Sequence, residues 1–250
     1  GGRRLRARFG LQAGCALGLV PGTAEALAAG AELLHNASLV HDDLKDGDCT
    51  RRGRASVWAA FGSDVAICAG DLMISGSFAA VAPAVPDRAG ALAARLHGAV
   101  HEAVQGQASG CTRGVSPPLD PAGYDRLAEA KSGALLALPV ELALIAAGQE
   151  AHLPAAARAG RRFALGYQIA DDLADLDADV CAGTTNAVIV LARAQGVAPA
   201  KAAPHAARRA VAALGEARRA AATLPDKAGE GLGDAARRLA RELGEVAHAA

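Results

Sequence analysis

Two short acidic runs carry most of the chemistry that this 250-residue sequence can offer. Asp42, Asp43 and Asp46 close one apolar stretch, and Asp171, Asp172 and Asp175 close another. In both, the acids fall at positions i, i+1 and i+4. On an α-helix, i and i+4 stack on one face a turn apart, while i+1 is rotated by roughly 100°. Each triplet therefore forms a short comb of carboxylates. Like charges at i,i+4 repel, and acids near a helix C-terminus oppose the macrodipole, so a cation must offset the cost. Oxygen-only donors without a Cys/His set select Mg²⁺, which takes few carboxylates and completes its shell with water and phosphate oxygens. One such triplet would read as a solvated helix end; two with the same spacing favour metal.

Basic residues are placed to match. Arg3 and Arg6 lie at the start, Arg51-Arg52-Gly53-Arg54 follows the first comb, and Lys131 sits in a long central apolar segment. Arginine suits bidentate phosphate contacts, so the pattern predicts two polyphosphate groups, one on metal and one on arginines. His35 stands two helical turns before Asp42 on the same face, as a ligand-facing group or a core histidine in about equal measure. His41, next to the acids, reads as a supporting or surface group.

The elements that hold these residues are helical. Alanine, the best helix former, contributes 66 residues, and aromatics make up only 3% of the chain, too few for the cores of a β-sandwich or barrel. Periodicity predicts helices over 23–43, 57–82, 87–109, 121–147, 154–177, 198–224 and 227–248, some of them split by glycines or prolines, with Thr23 or Gly22 capping the first. Their lengths predict an all-α fold, a single large antiparallel bundle over 1–250. The stretches 45–56, 110–120 and 177–186 read as loops, two of them directly after a comb, where sites are usually built. From Val197 onward the chain reads as packing helices with solvated charged faces.

Composition narrows the class further. The apolar content of 52% excludes disorder, and 26 basic residues against 26 acidic give no excess charge for nucleic acid. No run of about 18 uninterrupted apolar residues predicts a membrane span. Cys15, Cys49, Cys68, Cys111 and Cys181 fit neither a disulfide framework nor a zinc knuckle, and read as small core or loop residues in a reducing cytoplasm. The start at Gly1-Gly2-Arg3-Arg4, without a targeting segment, suggests that the chain begins mid-domain.

Taken in order, these motifs resemble those of the trans-type isoprenyl diphosphate synthases, the polyprenyl synthetase family. Gly1-Gly2-Arg3-Arg4-Leu5-Arg6 is similar to the family's opening basic motif, and Asp42-Asp43-Leu44-Lys45-Asp46 to its first aspartate-rich motif. Arg51-Arg52-Gly53, Gly70-Asp71, Gly106-Gln107, Lys131-Ser132 and Gln168 through Asp175 follow in the family's sequence.

The resemblance implies an isoprenoid synthase-like bundle, usually a homodimer, with the two aspartate motifs facing each other across a central cavity. Asp42, Asp43, Asp46, Asp171, Asp172 and Asp175 would hold about three Mg²⁺ ions gripping the diphosphate of an allylic substrate. Arg51 and Lys131 would add to that clamp. Isopentenyl diphosphate would sit on Arg3, Arg6, His35 and Arg52. Ionisation of the allylic carbon–oxygen bond and attack by the isopentenyl double bond would give a head-to-tail, trans-prenyl diphosphate. Ser132 and Gln168 would offer oxygen dipoles to the carbocation.

Ala37 and Ser38, about one turn below Asp42, are small, where bulky aromatics shorten the product in relatives. That implies elongation to geranylgeranyl or longer, with Met73, Ile74 and Phe78 as a deeper floor. Three departures stand out. Arg3 replaces the usual Lys, Ala7 the usual Pro, and the segment 177–186 has no counterpart of a lysine that closes over the diphosphate. That last absence keeps a non-catalytic subunit of a heteromeric synthase in play. A class I terpene cyclase would need Asn, Ser and Glu at four-residue spacing, yet Asn186 is followed at +4 by Val190. A di-metal carboxylate bundle would use Glu32–His35 and Glu245–His248, and leaves both combs unexplained.

Overall fold

The computed structural model describes residues 4–109 and 119–248, and they are helical almost throughout. Eleven α-helices and one short hairpin follow in order among these residues. They are α1 (Leu5–Ala16), α2 (Pro21–Asp46), β1 (Thr50–Arg51), β2 (Arg54–Ala55), α3 (Val57–Phe61), α4 (Ser63–Val81), α5 (Ala89–Ser109) and α6 (Pro121–Ala146). Then come α7 (Leu153–Ala174), α8 (Leu176–Ala182), α9 (Ala187–Gln195), α10 (Pro199–Ala222) and α11 (Glu230–His248). The all-α expectation holds. The chain packs as two compact units, residues 1–100 with 138–151, and residues 101–137 with 152–250. Of the three boundaries, two fall inside helices, α5 and α6, and the third in the turn before α7.

In the first unit α2 packs on α1 and α4. Pro21 at N1 starts α2, since its fixed φ suits the first turn and its missing N–H has no partner to lose. The expected cap is not made: Thr23 Oγ1 donates to the Ala84 carbonyl at 3.3 Å instead. At its far end α2 runs through Asp46 to Gly47 (φ +77), so the whole first comb lies inside the last turns. The approach of α4 to α2 depends on Gly70, where a Cβ would fall 2.1 Å from His41 Nε2. Gly62 (φ +94) divides the helix expected over 57–82 into α3 and α4.

In the second unit α10 packs on α7, α9 and α11. Ala202, Ala206, Ala207, Ala210, Ala213, Leu214 and Ala217 of α10 are all buried. Small side chains let the helix axes come close; a Cβ on Gly160 of α7 would lie 2.6 Å from the Ala137 backbone nitrogen of α6. Charged residues beyond 197 do more than face solvent. Arg209 Nη2 donates to Asp125 at 2.6 Å and Arg208 Nη1 to the Ala247 carbonyl at 2.9 Å.

Several expectations are corrected. The helix expected over 154–177 ends at Ala174, and the loop expected over 177–186 is mostly the short helix α8. Helices α1 and α9 and the hairpin were not expected. Cys15, Cys49, Cys68 and Cys181 are exposed and so are not core residues; Cys111 lies outside the described residues. The stretch Ser63–Ala84 is long and apolar enough to cross a membrane by length and composition, with a mean hydropathy of 1.8, although no uninterrupted apolar run marks it. Only 22% of that window is buried.

Candidate active site: two acidic combs and their anchors

The first comb is organised by an ion pair. Asp43 is buried, and Arg51 Nε donates to its Oδ1 at 2.5 Å while Nη2 reaches the same oxygen. The hydrogen bond to Asp43 is the main reason that the Arg51 guanidinium is held even more firmly protonated than usual. The hairpin delivers Arg51. Its turn residues Arg52 (φ +53) and Gly53 (φ +75) both occupy the left-handed region, as a two-residue type I′ connection requires. Asp42 is half-buried and Asp46 exposed, the latter 3.6 Å from Lys45.

Two turns before Asp42 on α2, His35 stands among arginines. Burial, then Arg6, Arg52 and Arg51 in that order, lower the pKa of His35 to about 3, so its imidazole is neutral at physiological pH. Arg6, His35, Arg51 and Arg52 are thus close enough to share one electrostatic environment. Arg3 lies outside the described residues. Glu32 Oε1 accepts from the Ala7 backbone N–H at 3.0 Å, in the first turn of α1. That contact gives Glu32 a structural task, seating the first turn of α1. Ala37 is 1% exposed, and Ser38 Oγ donates to the His35 carbonyl at 2.8 Å. His41 Nε2 sits 3.4 Å from the Ile67 carbonyl and 3.7 Å from Asp71, so it supports α2 against α4.

The inner acid of the second comb is held by neutral donors. Asp172 is buried, and its Oδ2 accepts from the Tyr124 hydroxyl and from the Ala187 N–H, both at 2.6 Å. Its Oδ1 accepts from Gln168 Nε2 at 2.8 Å. Burial first, and then the Asp172 carboxylate, push the Tyr124 phenol far above its ordinary pKa, so it remains a donor. Asn186 caps α9 by accepting from Val188 N at 2.8 Å, and its Nδ2 donates to the Asp172 carbonyl at 2.6 Å and to Asp179 at 2.8 Å. Asp171 and Asp175 are exposed. On α6, Tyr124, Ala128 and Lys131 fall at i, i+4 and i+7, one helical face. Lys131 is exposed and Ser132 half-buried.

Two anchors were missed in the sequence. Asn186 had a signal, an Asn directly before the apolar run Ala187-Val188-Ile189-Val190-Leu191. Tyr124 had none, because its partner is distant in the chain.

The donor chemistry fits a hard divalent cation. Among the described residues, no three His, Cys, Asp or Glu side chains converge into a ready-made metal cage. Mg²⁺ needs none: it is held by one or two carboxylates plus substrate phosphate oxygens and water.

Comparison with known proteins agrees with the motifs. The polyprenyl synthetase family model matches residues 1–184. A geranylgeranyl diphosphate synthase of Mycobacterium tuberculosis is 35% identical over 175 residues, 69% of this chain and 50% of that protein. A (2E,6E)-farnesyl diphosphate synthase of the same species is 34% identical over 173 residues, 69% of this chain and 48% of its own length. The chain thus spans about half the length of the curated relatives it matches. Among solved structures, a geranylgeranyl pyrophosphate synthetase from Pyrococcus horikoshii superposes with a TM-score of 0.85 at 27% identity, covering 96% of this chain and 86% of that one. One from Geoglobus acetivorans reaches 0.87 at 24% identity, over 96% of this chain and 88% of that one, a likeness of fold. Ordered motifs, helical architecture and a family match over residues 1–184 give one answer: this chain belongs to the polyprenyl synthetase family.

Proposed function

We propose that the protein is a trans-prenyltransferase, joining isopentenyl diphosphate head-to-tail to an allylic diphosphate. One observation carries the reading: both combs divide the same way. In each, the middle acid is buried and bound to protein donors, Asp43 to Arg51 and Asp172 to Tyr124, Gln168 and Ala187 N. The flanking acids, Asp42 with Asp46 and Asp171 with Asp175, stand further out. An anchored inner carboxylate with two outer ones is the arrangement expected of a comb that must present oxygens at fixed spacing.

On this reading Asp42 and Asp46 in the first unit, and Asp171 and Asp175 in the second, hold Mg²⁺. When bound, the metal neutralises charge on the departing diphosphate. Asp43 and Asp172 keep the outer carboxylates in register. Arg6, Arg52 and neutral His35 bind the diphosphate of isopentenyl diphosphate, the arginines by charge and His35 by a hydrogen bond. Arg51 contributes to the allylic clamp only with those N–H groups that Asp43 leaves. Lys131 adds a cation, and Ser132 and the Gln168 carbonyl oxygen supply dipoles to the developing carbocation. Small Ala37 and Ser38 leave room for growth to geranylgeranyl or longer. The apolar outer face of α4, with Val65, Ile67 and Leu72 exposed beside Phe61, supports a homodimer that covers it.

The test is turnover of isopentenyl diphosphate by the purified chain with Mg²⁺ and geranyl diphosphate, followed by released diphosphate. Asp42→Ala and Asp171→Ala are each expected to lower the rate by at least about a hundredfold. Wild-type rates in either variant refute the assignment of the combs.

A further inference from the structure

The two inner carboxylates are held in chemically different ways. Asp43 is paired with a guanidinium, which cancels its charge, whereas all three donors to the Asp172 side chain are neutral. A carboxylate oxygen offers two lone pairs, so Oδ2 of Asp172 is filled by the Tyr124 hydroxyl and the Ala187 N–H. Asp172 therefore keeps its own negative charge while it is locked in direction.

Of those donors, Gln168 belongs to the same helix and Ala187 to the next long one, α9. Tyr124 comes from α6, 48 residues earlier in the chain, and is 3% exposed. Its hydrogen bond ties the last turn of α7 to a helix that the local chain does not control. Asp171, Asp172 and Asp175 share that turn, so a tie that holds the turn at Asp172 also fixes where the other two project from the helix. Asp175 is the last residue with a bond into the helix, its N–H donating to the Asp171 carbonyl at 3.0 Å. A helix end frays unless something beyond its own ladder holds it.

We propose that Tyr124 is a positioning residue for the second acidic comb: its hydroxyl fixes Asp172, and with it the turn from which Asp171 and Asp175 project toward a divalent cation, without neutralising Asp172. This rests on the metal-binding reading of that comb given above. A neutral donor is the appropriate choice, because a lysine or arginine in its place would compete with the metal for the same charge.

The test is Mn²⁺ binding followed by electron paramagnetic resonance in the presence of inorganic pyrophosphate, on wild type, Tyr124→Phe, Asp172→Asn and the double variant. Tyr124→Phe removes one oxygen and keeps the ring. Each titration is run well below the variant's own melting temperature, so lower stability does not register as lost affinity. Tyr124→Phe is expected to weaken Mn²⁺ binding about tenfold or more, with the helical circular dichroism unchanged. The double variant should be no weaker than Asp172→Asn alone, since Tyr124 acts through Asp172. In turnover, the Mg²⁺ concentration for half-maximal rate should rise by the same factor while the KM for isopentenyl diphosphate stays within about twofold. Mn²⁺ affinity within about twofold of wild type, with only a lowered melting temperature, overturns the inference and leaves Tyr124 a structural staple. Absence of pyrophosphate-dependent Mn²⁺ binding in the wild type instead sinks the metal reading itself, and this inference with it.

Discussion

Replacing Arg51 with methionine isolates the anchor of the first comb. The substitution keeps an apolar stem of similar reach and removes the charge that Asp43 faces. Asp43 has 4% of its side chain exposed and Arg51 35%. Two unit charges about 4 Å apart at an effective dielectric of about 20 attract by roughly 4 kcal/mol. Breaking a fully buried pair by removing one partner costs about 3–5 kcal/mol, because the remaining charge is stranded. Water reaches the exposed third of Arg51, so the expected loss here is smaller, about 2–3 kcal/mol. For a chain of this size that corresponds to a fall of about 4–12 °C in Tm, read by circular dichroism at pH 7. The double variant Arg51→Met/Asp43→Asn should regain more than half of the loss, since an amide does not need the cation. A fall under about 2 °C, or an equal fall in the double variant, refutes the idea that the pair anchors the comb.

Other outcomes follow from the same geometry. The pKa of His35 in the folded chain is about 3, against 6.5 when unfolded, so acid favours the unfolded chain. The stability it contributes is complete above pH 6.5 and is lost as pH falls toward 3, with a slope of at most about 1.4 kcal/mol per pH unit. His35→Asn should flatten that limb in urea titrations at a series of pH values; an unchanged slope contradicts neutral burial. Ala37→Phe should shift products to shorter chains by mass spectrometry, and an unchanged product distribution removes Ala37 from the floor of the site. Leu72→Glu should convert a dimer to monomer in size-exclusion chromatography with light scattering, whereas an undisturbed dimer places the contact elsewhere than the α4 face.

What the sequence made legible was local. The i, i+1, i+4 spacing of each comb and the run Arg51-Arg52-Gly53 are read within a few residues, and helical periodicity does the rest. Which acid of a comb turns inward was not legible, because that depends on donors from elsewhere: Arg51 reaches Asp43 across the hairpin, and Tyr124 reaches Asp172 from α6. The hairpin went unread because its first turn position is Arg52, a residue that seldom adopts φ +53. That glycines would split some of the long helices was legible, but not that Gly62 would, since a lone glycine inside an apolar periodic run is often tolerated in a helix. The segment after Asp175 looked like loop because it is rich in Asp, Gly and Thr. Asp179 nevertheless receives the Thr184 hydroxyl and the Asn186 amide, which pin the turn between α8 and α9.

The most direct measurement of the central claim is the product formed by the purified chain from isotopically labelled isopentenyl diphosphate and farnesyl diphosphate with Mg²⁺, identified by mass spectrometry. The account predicts labelled prenyl diphosphates of geranylgeranyl length or longer, abolished by a chelator and restored by Mg²⁺. Recovery of both substrates unchanged, or product that survives the chelator, would contradict it.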